Sequence, residues 1–206
     1  MNALTKPLPY AARSIGSSRR DGLLAASAAL AFSMLYWLSD LIEVAQGGFS
    51  TGQLWLTLVA ELAIPPIVLG LWWLQRDRLG RLGMVSAWAY AYVFVFFSFT
   101  VAYALLDGTP DYQALSDDLG LSMVLHGAIM LLSGIGLGVA VARAKVLPAW
   151  TGYGLAAGVA LVVATQGAPE AAQLLAAGVR DLAIAAMGVA LIAAGREGRV
   201  SVGERG

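Results

Sequence analysis

The sequence predicts an all-α protein, a polytopic membrane bundle of six transmembrane helices with both termini in the cytoplasm. Three observations favour this fold class. Apolar residues make up 59% of the 206 residues, and the mean hydropathy is +0.73. Charged residues make up only 13% of the chain, against about 25% in soluble domains. A soluble fold of this size could not bury so much apolar surface, because much of any globule remains outside.

Six stretches reach the roughly 20 mainly apolar residues that a helix needs to cross a hydrocarbon core. In chain order they cover 23–45, 54–75, 82–106, 119–142, 147–166 and 171–194. We interpret 1–22 as a cytoplasmic leader, 23–194 as a single six-helix transmembrane domain and 195–206 as a cytoplasmic tail. The first span is expected to be retained, because it carries Asp40 and Glu43 and shows no convincing cleavage site.

Short polar or Gly/Pro-bearing segments end the spans in turn. A glycine-bearing segment follows the first span, and the arginine-bearing loop 75–82 follows the second. The third ends at the acidic loop 107–119, which opens with turn-forming residues. The fourth ends at the basic loop 143–146, and the fifth at the Gly/Pro-bearing segment 167–170. Each loop is too short to form a separate soluble domain.

The basic residues predict the orientation of these spans. All thirteen Lys and Arg residues except Arg180 lie in the leader, in loops 75–82 and 143–146, or in the tail. The opposite loops carry acidic residues alone: Asp107, Asp111, Asp117, Asp118 and Glu170. By the positive-inside rule both termini are cytoplasmic. We expect a multi-pass protein of the bacterial plasma membrane.

Composition excludes several chemistries. The absence of cysteine excludes disulfides, thiolate metal sites and thiol catalysis, and a single histidine excludes a His-built metal centre. Thirteen basic residues balance thirteen acidic ones, so there is no basic excess to attract nucleic acid. We therefore expect no metal, no cofactor and no nucleic-acid partner.

Small residues on the later spans predict close helix packing. The motifs Gly134-x-x-x-Gly138 and Gly154-x-x-x-Gly158 let helices approach closely in lipid. Close packing inside one bundle is the preferred interpretation. Homo-oligomerisation through the same faces is the alternative.

Ionisable residues inside the spans are the main functional signal. They are Asp40, Glu43, Glu61, His126, Arg180 and Asp181. Charged residues near a helix centre cost about 2.5–3.5 kcal/mol each on insertion scales, so they usually face the bundle interior or a cavity. The helical rise of about 1.5 Å per residue places all six in the outer half of the membrane. This predicts one polar pocket that opens toward the extracytoplasmic side or the outer leaflet.

Glu61 is the strongest candidate among them. Polar residues repeat on one face of each of the first two spans: Tyr36, Asp40 and Glu43 on the first, and Gln53, Thr57 and Glu61 on the second. Pro65 lacks the backbone N–H that would bond to the Glu61 carbonyl, which predicts a kink beside this acid. For the other residues a structural interpretation stays open: a hydrated helix end, an ion pair of Arg180, and a packed His126.

Aromatic residues supply the second part of the functional hypothesis. A helical stripe through the third span comprises Trp88, Tyr92, Phe99 and Tyr103, and either helix packing or a ligand wall would explain it. Carboxyl groups and aromatic faces around an apolar pocket suit acid-initiated isoprenoid chemistry. A buried carboxylic acid can protonate an alkene or epoxide, and aromatic faces can then stabilise the carbocation.

The hypothesis assigns a role to each candidate residue. Glu61 is the proton donor, and Asp40 or Asp181 holds and recharges it. The residues expected to bind the substrate are Tyr36, Trp37, Glu43, Trp88, Tyr92, Tyr103, His126 and Arg180. The expected partners are a lipophilic small-molecule substrate and membrane lipid.

Two resemblances accompany these patterns. Segment 141–152, which contains Arg143, Lys145 and Pro148, resembles a cytoplasmic turn common in small six-span, uncharacterised actinobacterial membrane proteins, a likeness that implies no activity. In size, intramembrane acids and aromatic lining, the chain is similar to the integral-membrane terpene cyclases of meroterpenoid pathways.

The second resemblance implies a metal-independent terpene cyclase or isomerase of isoprenoid biosynthesis. Glu61 would correspond to the first essential acid of that family, and Asp181 or Asp40 to a second. The chain departs from the family at Ala60, which precedes Glu61 where fungal members carry a Trp-Glu pair, and in having one span fewer.

Two other function classes stay open. Six spans with both ends inside are also similar to the substrate-binding subunits of energy-coupling-factor vitamin importers. In such a small-molecule binding or transport protein, the Ala-rich first span would dock a partner and Arg180 would bind a substrate carboxylate. An accessory subunit of a membrane complex would explain the packing glycines but gives the buried acids no role.

Overall fold

The computed structural model describes residues 10–196, and every regular element within them is an α-helix. The helices are α1 (Tyr10–Gln46), α2 (Thr51–Asp107), α3 (Tyr112–Leu119), α4 (Leu121–Ala144), α5 (Ala149–Ala164) and α6 (Glu170–Arg196). This confirms the predicted all-α class. α1 begins inside the predicted leader, while leader residues 1–9 and tail residues 197–206 lie outside the described residues.

Four of these helices, α1, α2, α4 and α6, are long and apolar enough to cross a membrane. Helix α5 is apolar but has only 16 residues. Helix α2 has 57 residues, which would extend roughly 85 Å if it were straight. It breaks at Gly80, where φ is 62° and ψ is −165°. Glycine adopts this region without the Cβ penalty of other residues.

The break divides α2 into a first arm (51–79) and a second arm (81–107) that fold back on each other. The Trp72 and Trp88 rings meet edge to face with centroids 6.4 Å apart. At the far end of the arms, Leu54 packs in one buried cluster with Val101 and Ala104. The predicted stretches 54–75 and 82–106 are therefore two antiparallel arms of one element.

The helices form a closed ring in which each neighbour runs antiparallel to the last. Helix α1 packs against α6 and α2, α2 packs against α4, and α5 lies between α4 and α6. The main hydrophobic core lies inside this ring and draws on every helix except α3. Helix α3, capped by the Asp111 side chain, covers one end through Leu115.

The glycine motifs mark the closest helix contacts inside the ring. A Cβ on Gly134 would lie 2.8 Å from a methyl of Val159 on α5, and a Cβ on Gly138 would meet the backbone of α5. A Cβ on Gly158 would lie 2.5 Å from the Cα of Arg180 on α6. At these glycines the helices of one bundle pack closely, as in the preferred interpretation of the motifs.

The antiparallel order separates the charged loops. The Gly80 turn, which carries Arg76, Arg78 and Arg81, and the loop from Arg143 to Lys145 lie at one end of the ring. The acidic segments lie at the other end. There the Phe49 amide donates a hydrogen bond of 2.7 Å to the Pro110 carbonyl, which joins the first loop to the loop after α2. We call these the basic end and the acidic end.

Candidate functional site

Glu61 lies in the ring interior on the first arm of α2, where it is 4% exposed. The Tyr36 hydroxyl on α1 donates a hydrogen bond of 3.0 Å to Glu61 Oε1. The second carboxyl oxygen, Oε2, is buried with no hydrogen-bond partner in the described part of the chain. Helical dihedrals continue through Pro65, yet this residue has no N–H for the Glu61 carbonyl. The acid therefore has unsatisfied hydrogen-bonding capacity in the buried interior of the ring.

An ion pair on α6 completes this cluster. Arg180 Nε donates a hydrogen bond of 2.8 Å to Asp181 Oδ1, and the two residues are 4% and 2% exposed. The Arg180 guanidinium also lies 4.7 Å from the centre of the Tyr36 ring, a distance at which a cation attracts an aromatic face. Tyr36 thus contacts both the acid and the arginine. We call Tyr36, Glu61, Arg180 and Asp181 the acid cluster.

Small residues on neighbouring positions allow Arg180 to lie in the ring interior. Gly158 lets α5 approach the α6 backbone at Arg180, and Gly178 faces the Trp37 indole nitrogen on α1. Asp40 lies one turn from Tyr36, and the charges of Arg180 and Asp181 act on its carboxyl group. The structure therefore brings the acid cluster together from three helices, with Asp40 one helical turn from its Tyr36.

A hydrogen-bonded seam continues from the acid cluster toward the acidic end. Gln53 Nε2 donates to Thr57 Oγ1 at 3.0 Å, to Ser39 Oγ at 3.2 Å and to Glu43 Oε2 at 3.3 Å. The Ser39 and Thr57 hydroxyls lie 2.5 Å apart. Glu43 therefore belongs to this seam, two helical turns beyond Tyr36, the residue that bonds to Glu61.

His126 lies apart from the acid cluster, on the outer face of the ring. Its Nδ1 is 2.8 Å from the Ser122 carbonyl and its Nε2 is 3.2 Å from the Tyr92 hydroxyl. Because a carbonyl can only accept, Nδ1 is the donor in the bond to Ser122. The ring also stacks on Phe96 at 3.5 Å. This corrects the expectation that six ionisable residues share one pocket, and it matches the packed interpretation.

The aromatic stripe of the third predicted span also faces outward. Trp88 and Tyr92 are each 56% exposed, Phe99 is 71% exposed and Tyr103 is 39% exposed. These side chains cannot form the wall of an interior pocket. Trp37 is partly exposed at the α1–α6 contact. Of the predicted aromatic residues, only Tyr36 is part of the acid cluster.

Sequence reasoning missed the inward face of the second arm. Tyr90 is fully buried there, and the charges of Arg180 and Asp181 act on its hydroxyl. The signal was the run of small residues one and two turns before it, Gly83 and Ser86, which marks the face that packs against α4. The prediction instead selected the bulky aromatic residues on the opposite face of this arm.

An apolar groove lies between α1 and the first arm of α2. It encloses about 260 Å³ and is lined by Leu24, Ala28, Phe32, Ala63, Pro66 and Ile67. Phe32 lies one helical turn from Tyr36, and Ala63 follows Glu61 by two positions. The groove is therefore adjacent in sequence to both partners of the Tyr36–Glu61 hydrogen bond.

The chain matches no protein-family model, no curated protein and no solved structure. Its chemistry is therefore inferred from the geometry of the site. The described residues contain no group of three or more His, Cys, Asp or Glu placed to hold a metal ion. What the site offers is a buried carboxyl group, a tyrosine that orients it and one guanidinium.

Proposed function

We propose that the chain crosses the bacterial plasma membrane six times, with both termini in the cytoplasm. Six helical segments, counting the two arms of α2, form the antiparallel ring. The basic and acidic loops at opposite ends support the orientation through the positive-inside rule. In this orientation, the acidic end faces the extracytoplasmic side.

We propose further that this protein is an intramembrane acid–base enzyme that acts on a lipophilic isoprenoid-type substrate. The observation that carries the proposal is the buried Glu61 carboxyl group, oriented by Tyr36 and left with one free oxygen. Two carboxyl groups lie next to the Arg180 guanidinium: Asp181 accepts a hydrogen bond from it, and Tyr36 contacts both Glu61 and the guanidinium. Excess negative charge is costly in an apolar interior, and in this proposal Glu61 carries the proton that it donates.

In this proposal, Glu61 protonates an alkene or epoxide of the substrate, and Asp40 or Asp181 restores the proton. The product forms when a proton leaves the resulting carbocation to a base, so the step needs no external oxidant or reductant. The reaction is that of a terpene cyclase or isomerase. The apolar groove between α1 and the first arm of α2 would hold the hydrocarbon chain, which enters from the lipid phase.

The direct test is turnover in lipid nanodiscs. Prenylated aromatic compounds and their terminal epoxides are supplied, and cyclised products are measured by mass spectrometry. The Glu61→Gln variant keeps the shape of the side chain but has no acidic proton, so we expect product formation to fall by at least about 100-fold. The matched control, Glu170→Gln, alters an exposed acid at the start of α6 and should retain full activity. Equal activity in both variants would refute the role of Glu61.

A second candidate function is the binding or transport of a small carboxylate. Arg180 Nη2 has no hydrogen-bond partner among the described residues, and a guanidinium is well suited to carboxylates. Against a docking role for the Ala-rich first span, Ala26 and Ala29 are fully buried, and both pack at Gly188 of α6. A polar carboxylate that copurifies with the wild-type protein and is lost in Arg180→Gln would favour this function.

A further inference from the structure

A second set of unsatisfied polar atoms lies deep in the ring, toward the basic end. The Gln75 side chain on the first arm is 2% exposed, and Tyr90 on the second arm is fully buried. Gln75 Nε2 donates to the Leu71 carbonyl at 3.1 Å, but Gln75 Oε1 has no partner among the described residues. The Tyr90 hydroxyl likewise has none. A buried polar atom without a hydrogen bond destabilises the folded state.

Both side chains line the same small cavity. It encloses about 10 Å³, and its other walls are apolar residues of four helical segments, including Val68, Leu137 and Met187. This volume is at the size that one water molecule occupies. Buried waters usually serve polar groups that have no other partner, whereas purely apolar cavities stay dry. The coincidence of this size with two free polar atoms distinguishes the cavity from a packing defect.

We propose that this cavity is a binding site for a single water molecule held between Gln75 and Tyr90. The water donates one hydrogen to Gln75 Oε1 and exchanges a second hydrogen bond with the Tyr90 hydroxyl. Tyr90 in turn lies within the field of the Arg180–Asp181 pair. The site lies toward the basic end, where Arg76 follows Gln75 in the chain. It is independent of the substrate and of any role of Glu61.

Radiolytic labelling tests this site directly. X-ray pulses generate hydroxyl radicals from bound as well as bulk water, and these radicals oxidise the side chains nearest to the water. Met187 lines the cavity and is 1% exposed. Met130 is similarly buried, at 5%, but does not line it. We expect Met187 in the full-length protein to be oxidised several-fold faster than Met130. Equal rates would show a dry cavity and overturn the proposal.

Two substitutions test the anchors. Tyr90→Phe and Gln75→Leu each remove one anchor with little change in volume, and either should lower the Met187 rate to that of Met130. Tyr153→Phe, at an exposed tyrosine on α5, is the matched control and should change nothing. Fast oxidation of Met187 that persists in both anchor variants would also overturn the assignment. If one variant does not fold, the other still gives the answer, and the comparison of Met187 with Met130 in the wild type needs neither.

Discussion

At the scale of single residues, Tyr36 determines what Glu61 can do. Its hydroxyl occupies one carboxyl oxygen, its ring faces the Arg180 guanidinium, and the second carboxyl oxygen stays free. A carboxyl group with one bonded and one free oxygen has a fixed orientation and an available proton site. Tyr36 is thus a positioning residue for Glu61 in the proposed reaction.

Replacing Tyr36 by Phe should therefore lower both stability and turnover. The change leaves a buried Glu61 oxygen without a donor, which costs about 1–3 kcal/mol. Thermal unfolding in detergent should show a lower Tm than wild type, while Tyr153→Phe at an exposed site should not. A Tyr36→Phe protein with unchanged Tm and unchanged turnover would remove Tyr36 from the site.

At the scale of helices, a close contact at Gly158 lets the Arg180 side chain lie in the interior. The backbone of α6 approaches α5 at Gly158, and the same glycine lies beside Arg180. Close helix contact is the main source of packing attraction in lipid, where water exerts no drive between helices. The position of the guanidinium therefore depends on a missing side chain on a neighbouring helix.

Gly158→Ala should accordingly be destabilising by about 1–3 kcal/mol, because the new methyl overpacks the α5–α6 contact. The matched control is Gly127→Ala on α4, where a Cβ would meet no atom within 4 Å. That variant should be neutral or slightly stabilised, since alanine favours helices over glycine. Equal unfolding temperatures for the two variants would contradict the packing described.

In the turn between the arms of α2, glycine is needed for its backbone conformation and not for close packing. Gly80 has open space around it, so a Cβ would meet no atom within 4 Å, but its φ is positive. Gly80→Ala should cost about 1–3 kcal/mol through backbone strain alone. Unfolding of this variant, compared with Gly127→Ala, separates strain from helix propensity. A neutral Gly80→Ala would show that the arms are connected in another way.

At the scale of the whole molecule, the sequence predicted helices well and their faces less well. Each of the six apolar stretches coincides with a helical segment, because apolar length and Gly/Pro interruptions are local properties. Glu61, Arg180 and Asp181 could be predicted to face inward, because a charged side chain that faces the lipid is energetically expensive. The outward direction of the His126 side chain could not be predicted in this way. The helical rise gives the depth of a residue along the helix, but not the direction in which its side chain points around the helix axis.

The orientation of the molecule is tested by cysteine labelling, since the natural chain has no cysteine. Asp117 lies at the acidic end and Arg143 at the basic end, and both are exposed. A membrane-impermeant maleimide added to intact cells should label Asp117→Cys and leave Arg143→Cys unlabelled until the cells are opened. The reverse pattern would invert the proposed topology.

The most direct test of the central claim is mass spectrometry of the small molecules that copurify with the gently extracted protein. Wild type and Glu61→Gln are prepared side by side. We predict that both carry a prenylated lipid, and that the lipid is a cyclised product in wild type and an unreacted precursor in the variant. A polar ligand, or a set of lipids that does not respond to Glu61→Gln, would contradict the claim that Glu61 is the acid of an intramembrane reaction.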